Sequence, residues 1–471
     1  MKRRKINIWF LPFLAFLLFC HNTKAQEVFR LSADQAKEMA LERLLSLENL
    51  RIDKKIQEAG NKEITGQALP QVKGNASVMH YFNIPVTFIP DFISPAVYDV
   101  LVNEGVRDQN GNPIVKPGGE PQLFPAAFGV PWQASVGFSI EQLLFQPDVF
   151  VGLKARDASI ELTEFNIKVM EDSIKANVLR SYYSVVIAEK RKEILNESVL
   201  RLEKLLSDQT EMYNNGFAER LDTERTQVTL NNLKTSLAQI TNIVSLGYAA
   251  LKFSTGLAQT DSIELTDDLN AEQLKAGLLE LADNFNYEDR NEIGLLNTME
   301  ELNELDLQRY KLGKMPTIAA FWNFSENAQR QKFNFFNFNE DWYKTSVVGV
   351  NISVPIFSGF SQNRRIEKAR LNLEKTRNNI TDLKRAIDLQ QVSAINTLKN
   401  ALSAVEVQER NMELAEKVFN TTKIKFEQGL GSSFEILQAQ TEFETAQSNY
   451  FQALYDAMIA RVNYRRALGK L

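Results

Sequence analysis

Two stretches decide the fold: Tyr213-Asn-Asn-Gly-Phe-Ala-Glu-Arg-Leu-Asp-Thr-Glu-Arg-Thr-Gln227 and Phe426-Glu-Gln-Gly-Leu-Gly-Ser-Ser-Phe-Glu-Ile-Leu-Gln-Ala-Gln440. In both, an aromatic residue precedes a glycine by three positions, and an apolar residue, an acid and a glutamine follow that glycine by five, six and eleven positions. The same offset of 213 residues pairs Gly256 with Gly469. A fixed offset held over so long a stretch indicates an internal duplication.

Each of these stretches predicts the tip of a helical hairpin. The glycine lies between two runs of apolar residues with helical spacing, where a left-handed residue can end one helix before the next begins. We predict hairpins over residues 148–253, with its tip at 213–222, and 360–468, with its tip at 426–435. No proline occurs in 148–315 or 356–471, and proline in a helix interior costs about 3 kcal/mol.

The first hairpin begins with a heptad pattern. From Val151 to Val186 the apolar positions step by four and three, with Asp172 as the only break, which is typical of a coiled coil. We predict one continuous helix from Asp148, as its N-cap, to Met212.

Four segments alternate apolar and polar residues and predict β-strands, at about 71–82, 132–141, 317–325 and 344–354. Phe321 is the one bulky apolar residue on the polar side of the third strand. Between the first two strands, residues 83–131 hold eight of the thirteen prolines, which predicts a long irregular loop. This insertion has no counterpart in the second half, and we expect it outside the cell.

The N-terminus reads as a secretory signal peptide over residues 1–25, with a basic start, an apolar core and cleavage after Ala25. Lipidation of Cys20 is the weaker alternative. Ser32 and Gln35 form a capping-box pattern that begins a helix running to about residue 68, with weak points at Gly60 and Gly66. Residues 258–286 form a mixed segment between the first repeat (26–257) and the second (287–471).

Composition excludes several classes of function. After the signal the chain has no cysteine, and His80 is its only histidine, which removes thiol, imidazole and Cys/His metal chemistry. We therefore expect no enzyme, no metal and no cofactor. Acidic side chains outnumber basic ones after residue 25, so nucleic acid is a poor partner. No later apolar run is long enough for a membrane-spanning helix.

The strands favour a membrane-embedded sheet, with lipid on the apolar face and water on the polar face. Four strands do not close a barrel, and open edges are not tolerated in hydrocarbon. Closure then requires several chains. A trimer would supply twelve strands, and other multiples stay open at this point. A soluble periplasmic coiled-coil scaffold is the alternative from a different class.

The organisation resembles the TolC family of outer-membrane efflux channels. The motifs that carry the resemblance are Leu69–Val72 before the first strand, Pro355–Gly359 after the fourth, both glycine stretches, and Ala467–Gly469 at the end. The resemblance implies an α+β homotrimer with a twelve-stranded barrel in the lipid of a Gram-negative outer membrane and a periplasmic helical barrel. It also implies docking through an adaptor (membrane fusion protein) to an inner-membrane RND or ABC pump. A type I protein-secretion duct is the sibling alternative.

The resemblance also implies site residues. Those expected to contact the adaptor at the tips are Tyr213, Gly216, Leu221, Asp222, Phe426, Gly429 and Phe434. The pore constriction is expected at Glu435 and Gln438, an amide where the family's type member has an acid. The alternative is that Glu435 and Asp222 merely suit the helix dipole. Phe426 and Gly431 replace the tyrosine and arginine that hold the type member closed, so other contacts must serve here.

Overall fold

A computed structural model describes residues 28–119, 123–267, 285–337 and 339–471. The signal-peptide prediction and much of the mixed segment lie outside these ranges. In chain order the elements are β1 (Val28–Leu31), α1 (Ala33–Arg43), α2 (Leu45–Gln67), β2 (Gln71–His80), β3 (Val86–Pro90), α3 (Ile93–Asn103), β4 (Leu123–Ala127), β5 (Trp132–Phe145), α4 (Pro147–Lys154), α5 (Arg156–Asn214), α6 (Arg220–Thr255), β6 (Ser262–Leu265), α7 (Asn291–Leu312), β7 (Thr317–Arg330), β8 (Tyr343–Ser353), α8 (Ser361–Glu427) and α9 (Ser433–Ala467). The order of helix, two strands and helical hairpin occurs twice.

The chain forms two compact units. One contains the helical hairpins and comprises residues up to 59, 156–304 and 370–471. The other comprises residues 60–155 and 305–369 and contains the largest sheet. Within the described ranges, every helix is either too short or too polar to cross a bilayer.

The first helical segment is interrupted at a different place from the one predicted. The capping box is present, with Ser32 and Gln35 bonded reciprocally. The break falls at Leu44, whose backbone is extended (φ −70°, ψ 119°), and both Gly60 and Gly66 lie inside α2. Glycine costs about 1 kcal/mol in a helix interior, too little to end a helix of this length. The break at Leu44 lets α1 and the start of α2 bury side chains in one core.

The four-stranded sheet has the order β2-β5-β7-β8, antiparallel throughout. One row across it reads Val72, Ile140, Trp322 and Val348, and a row on the opposite face reads Asn75, Gly137, Ser325 and Thr345. The register therefore places an apolar and a polar face on the two sides of one sheet. In the chain, β2 and β8 are its unpaired edges.

Phe321, the apolar residue on the polar face, has a local explanation. It lies directly opposite Gly349 on β8. A Cβ placed on Gly349 would come within 2.6 Å of the Phe321 ring, so the ring covers the backbone at a position without a side chain. An aromatic ring over a strand glycine is a recognised device for stabilising a sheet.

The insertion between β2 and β5 is folded, and the prediction of an irregular loop is wrong. Strands β3 and β4 pair antiparallel, and α3 lies between them in sequence. The prolines did not prevent this because they occupy tolerated places. Pro90 ends β3, Pro95 lies in the first turn of α3, and Pro125 is in a two-stranded ribbon, where every strand is an edge.

The first long helix is not continuous from residue 148. It is divided at Ala155 into α4 and α5, and the N-cap of α4 is Gln146 rather than Asp148. Proline favours the first helical position, so Pro147 occupies that position and Asp148 falls in the first turn. The apolar spacing runs unbroken through Ala155, which is why periodicity does not reveal the division. Helix α5 still has 59 residues, about 88 Å at 1.5 Å per residue.

The core of the helical unit follows the long helices as separate clusters. One joins α1, the middle of α5, α6 and α9, and a second joins α5 to α8 and α9. Nearer the tips, α5 and α6 share a leucine-rich cluster, and α8 and α9 share one around the stacked rings of Phe419 and Phe443. Apolar side chains therefore pack between the two helices of each hairpin at these clusters.

Candidate functional site

The two hairpin tips have the same backbone conformation. Gly216 (φ 79°) and Gly429 (φ 75°) are left-handed. The glycine N–H donates to the carbonyl of the aromatic residue three positions back, at 3.0 Å to Tyr213 and 2.9 Å to Phe426, and the next N–H donates five positions back. This is the Schellman motif, which satisfies the last carbonyls of a helix. The duplicated glycines therefore end α5 and α8 in the same way.

The return helices end on the same motif. Gly256 (φ 74°) and Gly469 (φ 70°) are left-handed, and the residue after each donates five positions back, at 2.9 Å in both cases. All four helices of the two hairpins thus terminate on duplicated glycines separated by 213 positions.

Apolar side chains surround both tips. Phe217 is 80% exposed and Leu430 is 77% exposed, and Leu221, Phe434 and Tyr213 are also exposed. Phe426 differs, because it is half-buried and packs against the α8–α9 cluster. Both tips thus expose large apolar side chains to solvent.

An open groove runs between the first turns of α6 and α9. Its walls carry Leu221 and Val228 from α6 and Phe434 and Leu437 from α9, and the Arg225 guanidinium lies 5.9 Å from the centre of the Phe434 ring. Leu221 and Phe434 are the duplicated apolar residues five positions after each tip glycine. The groove is mainly apolar, with Glu224 and Arg225 on its α6 wall and Gln438 on its α9 wall.

Glu435 has a structural role in the chain. It forms a capping box with Ser432, in which the Glu435 N–H donates to the Ser432 hydroxyl at 3.3 Å and the Ser432 N–H donates to the Glu435 carboxylate at 3.4 Å. Asp222, its counterpart, follows an N-cap at Glu219 that makes no side-chain bond. Glu435 is therefore held in a capping box, whereas the helix that contains Asp222 begins without a side-chain cap.

Gln438 lies one turn further along α9 and donates to the Glu442 carboxylate at 2.9 Å. Glu435, Gln438 and Glu442 are all exposed, and their spacing of three and four places them along one side of the helix. Sequence reasoning missed Glu442. The sequence feature that could have identified it is its position four residues after Gln438, a spacing at which side chains on a helix contact each other.

A buried polar bridge joins the two hairpins near their tips. Gln209 of α5 is fully buried. Its amide nitrogen donates to the Ser433 hydroxyl on α9 at 3.0 Å, and its amide oxygen accepts from the Thr226 hydroxyl on α6 at 2.6 Å. These three residues were not predicted. The available signal was a glutamine in the helix seam, but a single sequence does not show which partner it meets.

A second polar cluster lies further along the α5–α9 seam. Ser198 and Gln440 are buried, and the Gln440 amide donates to Ser198 at 3.4 Å and to the Glu444 carboxylate at 2.6 Å. Burial raises the pKa of Glu444 above its ordinary value of 4.5, partly opposed by hydrogen bonds from Gln440 and Ser198 and by the Arg201 charge. The contact between the hairpins near their tips thus combines buried polar groups with apolar packing of Leu437 against α5 and α6.

Replacing Glu444 with glutamine is expected to raise thermal stability at pH 7. A carboxyl whose pKa is higher in the folded chain destabilises the fold when ionised, fully above the folded pKa and not at all below the unfolded pKa. The gain from Glu444→Gln should therefore shrink as the pH falls toward 4.5. Thermal melts across pH would measure it, with the exposed neighbour Glu442→Gln as control. A gain that is independent of pH would contradict the burial argument.

Comparison with solved structures identifies the class of fold. The fold matches solved outer-membrane channels. VceC of Vibrio cholerae superposes with a TM-score of 0.69 at 13% identity, covering 93% of this chain and 96% of that one. The outer-membrane channel OprN superposes with a TM-score of 0.68 at 14% identity, covering 93% and 90%. The chain therefore has the fold of an outer-membrane channel.

The sequence comparisons agree with this fold. Residues 311–470 match the outer membrane efflux protein family. Outer membrane protein TolC of Vibrio cholerae is 20% identical over 347 residues, 72% of this chain and 77% of that protein. The alkaline protease secretion protein AprF of Pseudomonas aeruginosa is 21% identical over 366 residues, 71% and 69%. These matches confirm the resemblance to the TolC family of outer-membrane efflux channels.

Proposed function

We propose that this chain is the outer-membrane exit duct of a tripartite export system. Three copies form a twelve-stranded barrel, and the helical hairpins extend as a tube into the periplasm. The carrying observation is the four-stranded sheet, which has one apolar face, one polar face and two unpaired edges. An edge strand exposes unpaired N–H and C=O groups, which lipid does not satisfy. Pairing β2 of one copy with β8 of the next removes both edges.

The adaptor binds at the hairpin tips. Exposed apolar and aromatic side chains such as Phe217 and Leu430 are of the kind enriched in the cores of protein interfaces. The groove with Leu221 and Phe434 on its walls fits an apolar side chain from a partner helix. An inner-membrane pump of the RND or ABC type then drives the cargo through the adaptor, and the duct itself performs no chemistry.

The constriction is formed by α9 just after the second tip. In a trimer, Glu435 and Glu442 each recur three times, so each forms a ring of carboxylates. Such rings raise the local concentration of cations and disfavour anions. Gln438 supplies an amide between the two rings, and cation selectivity is accordingly weaker than with three acidic rings.

Single-channel recording in planar bilayers tests this proposal, with wild type beside Glu435→Gln. Glutamine keeps the capping-box interaction and removes the charge, so the cap and the ring are separated. The expected result is small, cation-selective currents whose selectivity falls in the variant. Glu406→Gln, which removes an exposed acid on α8, is the control and should leave selectivity unchanged.

The other outcomes decide between the parts of the proposal. Large currents that are the same in wild type and Glu435→Gln would support the duct but would show that Glu435 does not form the constriction. A protein that stays in solution without detergent and gives no current would favour the periplasmic scaffold instead.

A secretion duct for proteins is the second candidate for the cargo. The similarity to AprF, whose name places it in protease secretion, is comparable with the similarity to TolC. Both candidates use the same duct, since the pump selects the cargo. Sensitivity to small toxic compounds in a deletion strain, with protein secretion intact, would favour efflux.

A further inference from the structure

The insertion between β2 and β5 carries an apolar stripe that no other described part of the chain covers. Ile93, Val97 and Val100 on α3 are 55%, 51% and 60% exposed. Their spacing of four and three places them on one side of the helix, and no residue of α3 is buried. A short helix gains most of its stability from packing its apolar side, so this one is incomplete in a single copy.

The β3–β4 ribbon extends the apolar surface. Its register places Phe88 opposite Pro125, and Pro90 opposite Leu123, so these four side chains share one face. Phe88 is 67% exposed and Leu123 is 62% exposed. The helix and the ribbon each present exposed apolar surface, and such surface on a soluble part of a protein marks an interaction site.

Charged groups in the described part of the insertion are paired within it. The Lys116 ammonium lies 2.7 Å from the Asp99 carboxylate. The Asp108 carboxylate accepts from the backbone N–H groups of Asn110 and Asn112, each at 2.9 Å. These hydrogen bonds hold the pKa of Asp108 below its usual range. These charged groups therefore require no partner, whereas the apolar stripe on α3 remains exposed.

The position of the insertion indicates what covers it. It starts immediately after β2, which is an unpaired edge of the sheet. Its base is fixed there, because the Tyr81 N–H donates to the Pro131 carbonyl at 2.7 Å, one residue beyond the last pair of β2 and β5. In a ring of copies joined through β2 and β8, the insertion consequently stands at the junction with the next copy.

We propose that the apolar surface of the insertion, formed by the α3 stripe and the Phe88 face of the β3–β4 ribbon, binds a second copy of this chain. The inference rests on the proposed function, in which copies pair edge to edge. Each insertion then packs on its neighbour and covers apolar surface that is exposed in a single copy. The contact reinforces the assembly from beyond the end of the sheet, independently of the strand hydrogen bonds.

A photocrosslinking amino acid at Val97 tests this contact in the full chain, in cells and in detergent. The matched control position is Gln109, in the polar turn of the same insertion. The expected result is a product of twice the chain mass from position 97, several-fold more abundant than from position 109. Mass spectrometry of the adduct identifies the captured peptide.

Native mass spectrometry distinguishes a failure of this inference from a failure of the proposed function. A trimer in which position 97 captures lipid, another protein or nothing would overturn the inference and leave the duct intact. A monomer would overturn both. As a second measurement, Val97→Asp with Val100→Asp should lower the temperature at which the oligomer dissociates in SDS, whereas Gln109→Asp should not. Unchanged dissociation would count against the contact.

Discussion

Replacing Gly137 with valine is expected to abolish folding of the four-stranded sheet and, with it, the proposed assembly. A Cβ at this position would meet the backbone carbonyl of Phe324 and would lie 2.7 Å from the Ser325 Cα. Backbone atoms cannot move aside without breaking the pairing of β5 with β7, which is the pairing that joins the two halves of the sheet. Overpacking costs about 1–3 kcal/mol even where side chains can adjust. At Gly137 the clashing atoms belong to the backbone, so no side chain can move to relieve the clash.

Heat-modifiable oligomer on SDS gels and the amount extracted from outer membranes measure this effect. Gly74→Val is the matched control. Gly74 lies in β2 of the same sheet, and a Cβ there has no neighbour within 4 Å. The control should accumulate normally while Gly137→Val does not. Normal assembly of Gly137→Val would mean that β5 and β7 approach less closely than described.

Replacing Gln209 with leucine is expected to loosen the connection between the hairpins. The Ser433 and Thr226 hydroxyls would lose their buried partner, and a buried polar group left without one costs about 1–3 kcal/mol. Thr226 retains a bond to the Asp222 carbonyl at 3.0 Å, so the loss falls mainly on Ser433. Because Ser433 begins α9, hydrogen exchange should increase there first, and the melting temperature should fall.

Hydrogen exchange followed by mass spectrometry would resolve this by segment. Gln227→Leu serves as the control, since Gln227 is exposed and bonds only within α6, to Asn231 at 2.9 Å. Faster exchange confined to the first turns of α9 in Gln209→Leu is the expected pattern. Equal exchange in both variants would show that the bridge does not hold the hairpins together.

The sequence predicted the features whose causes are local. The capping box at Ser32 requires only three neighbouring residues, and the left-handed glycines at both tips require only a helix end. The two-faced strands follow from alternation alone, and the structure places each of the four predicted strands in one sheet. The predictions that were wrong concern competition between local signals. Proline density suggested an irregular loop in the insertion, and unbroken spacing concealed the division at Ala155.

The sequence by itself determined the duplication, the two helical hairpins, the four strands of the large sheet and the faces of those strands, because period and turn chemistry act over a few residues. Only the tertiary structure decided that β5 of the first half pairs with β7 of the second, and that Gln209 meets Ser433 across 224 positions. Such contacts depend on which segments the whole chain brings together. A buried glutamine is also stable only where partners of the right geometry arrive, and no local pattern encodes their arrival.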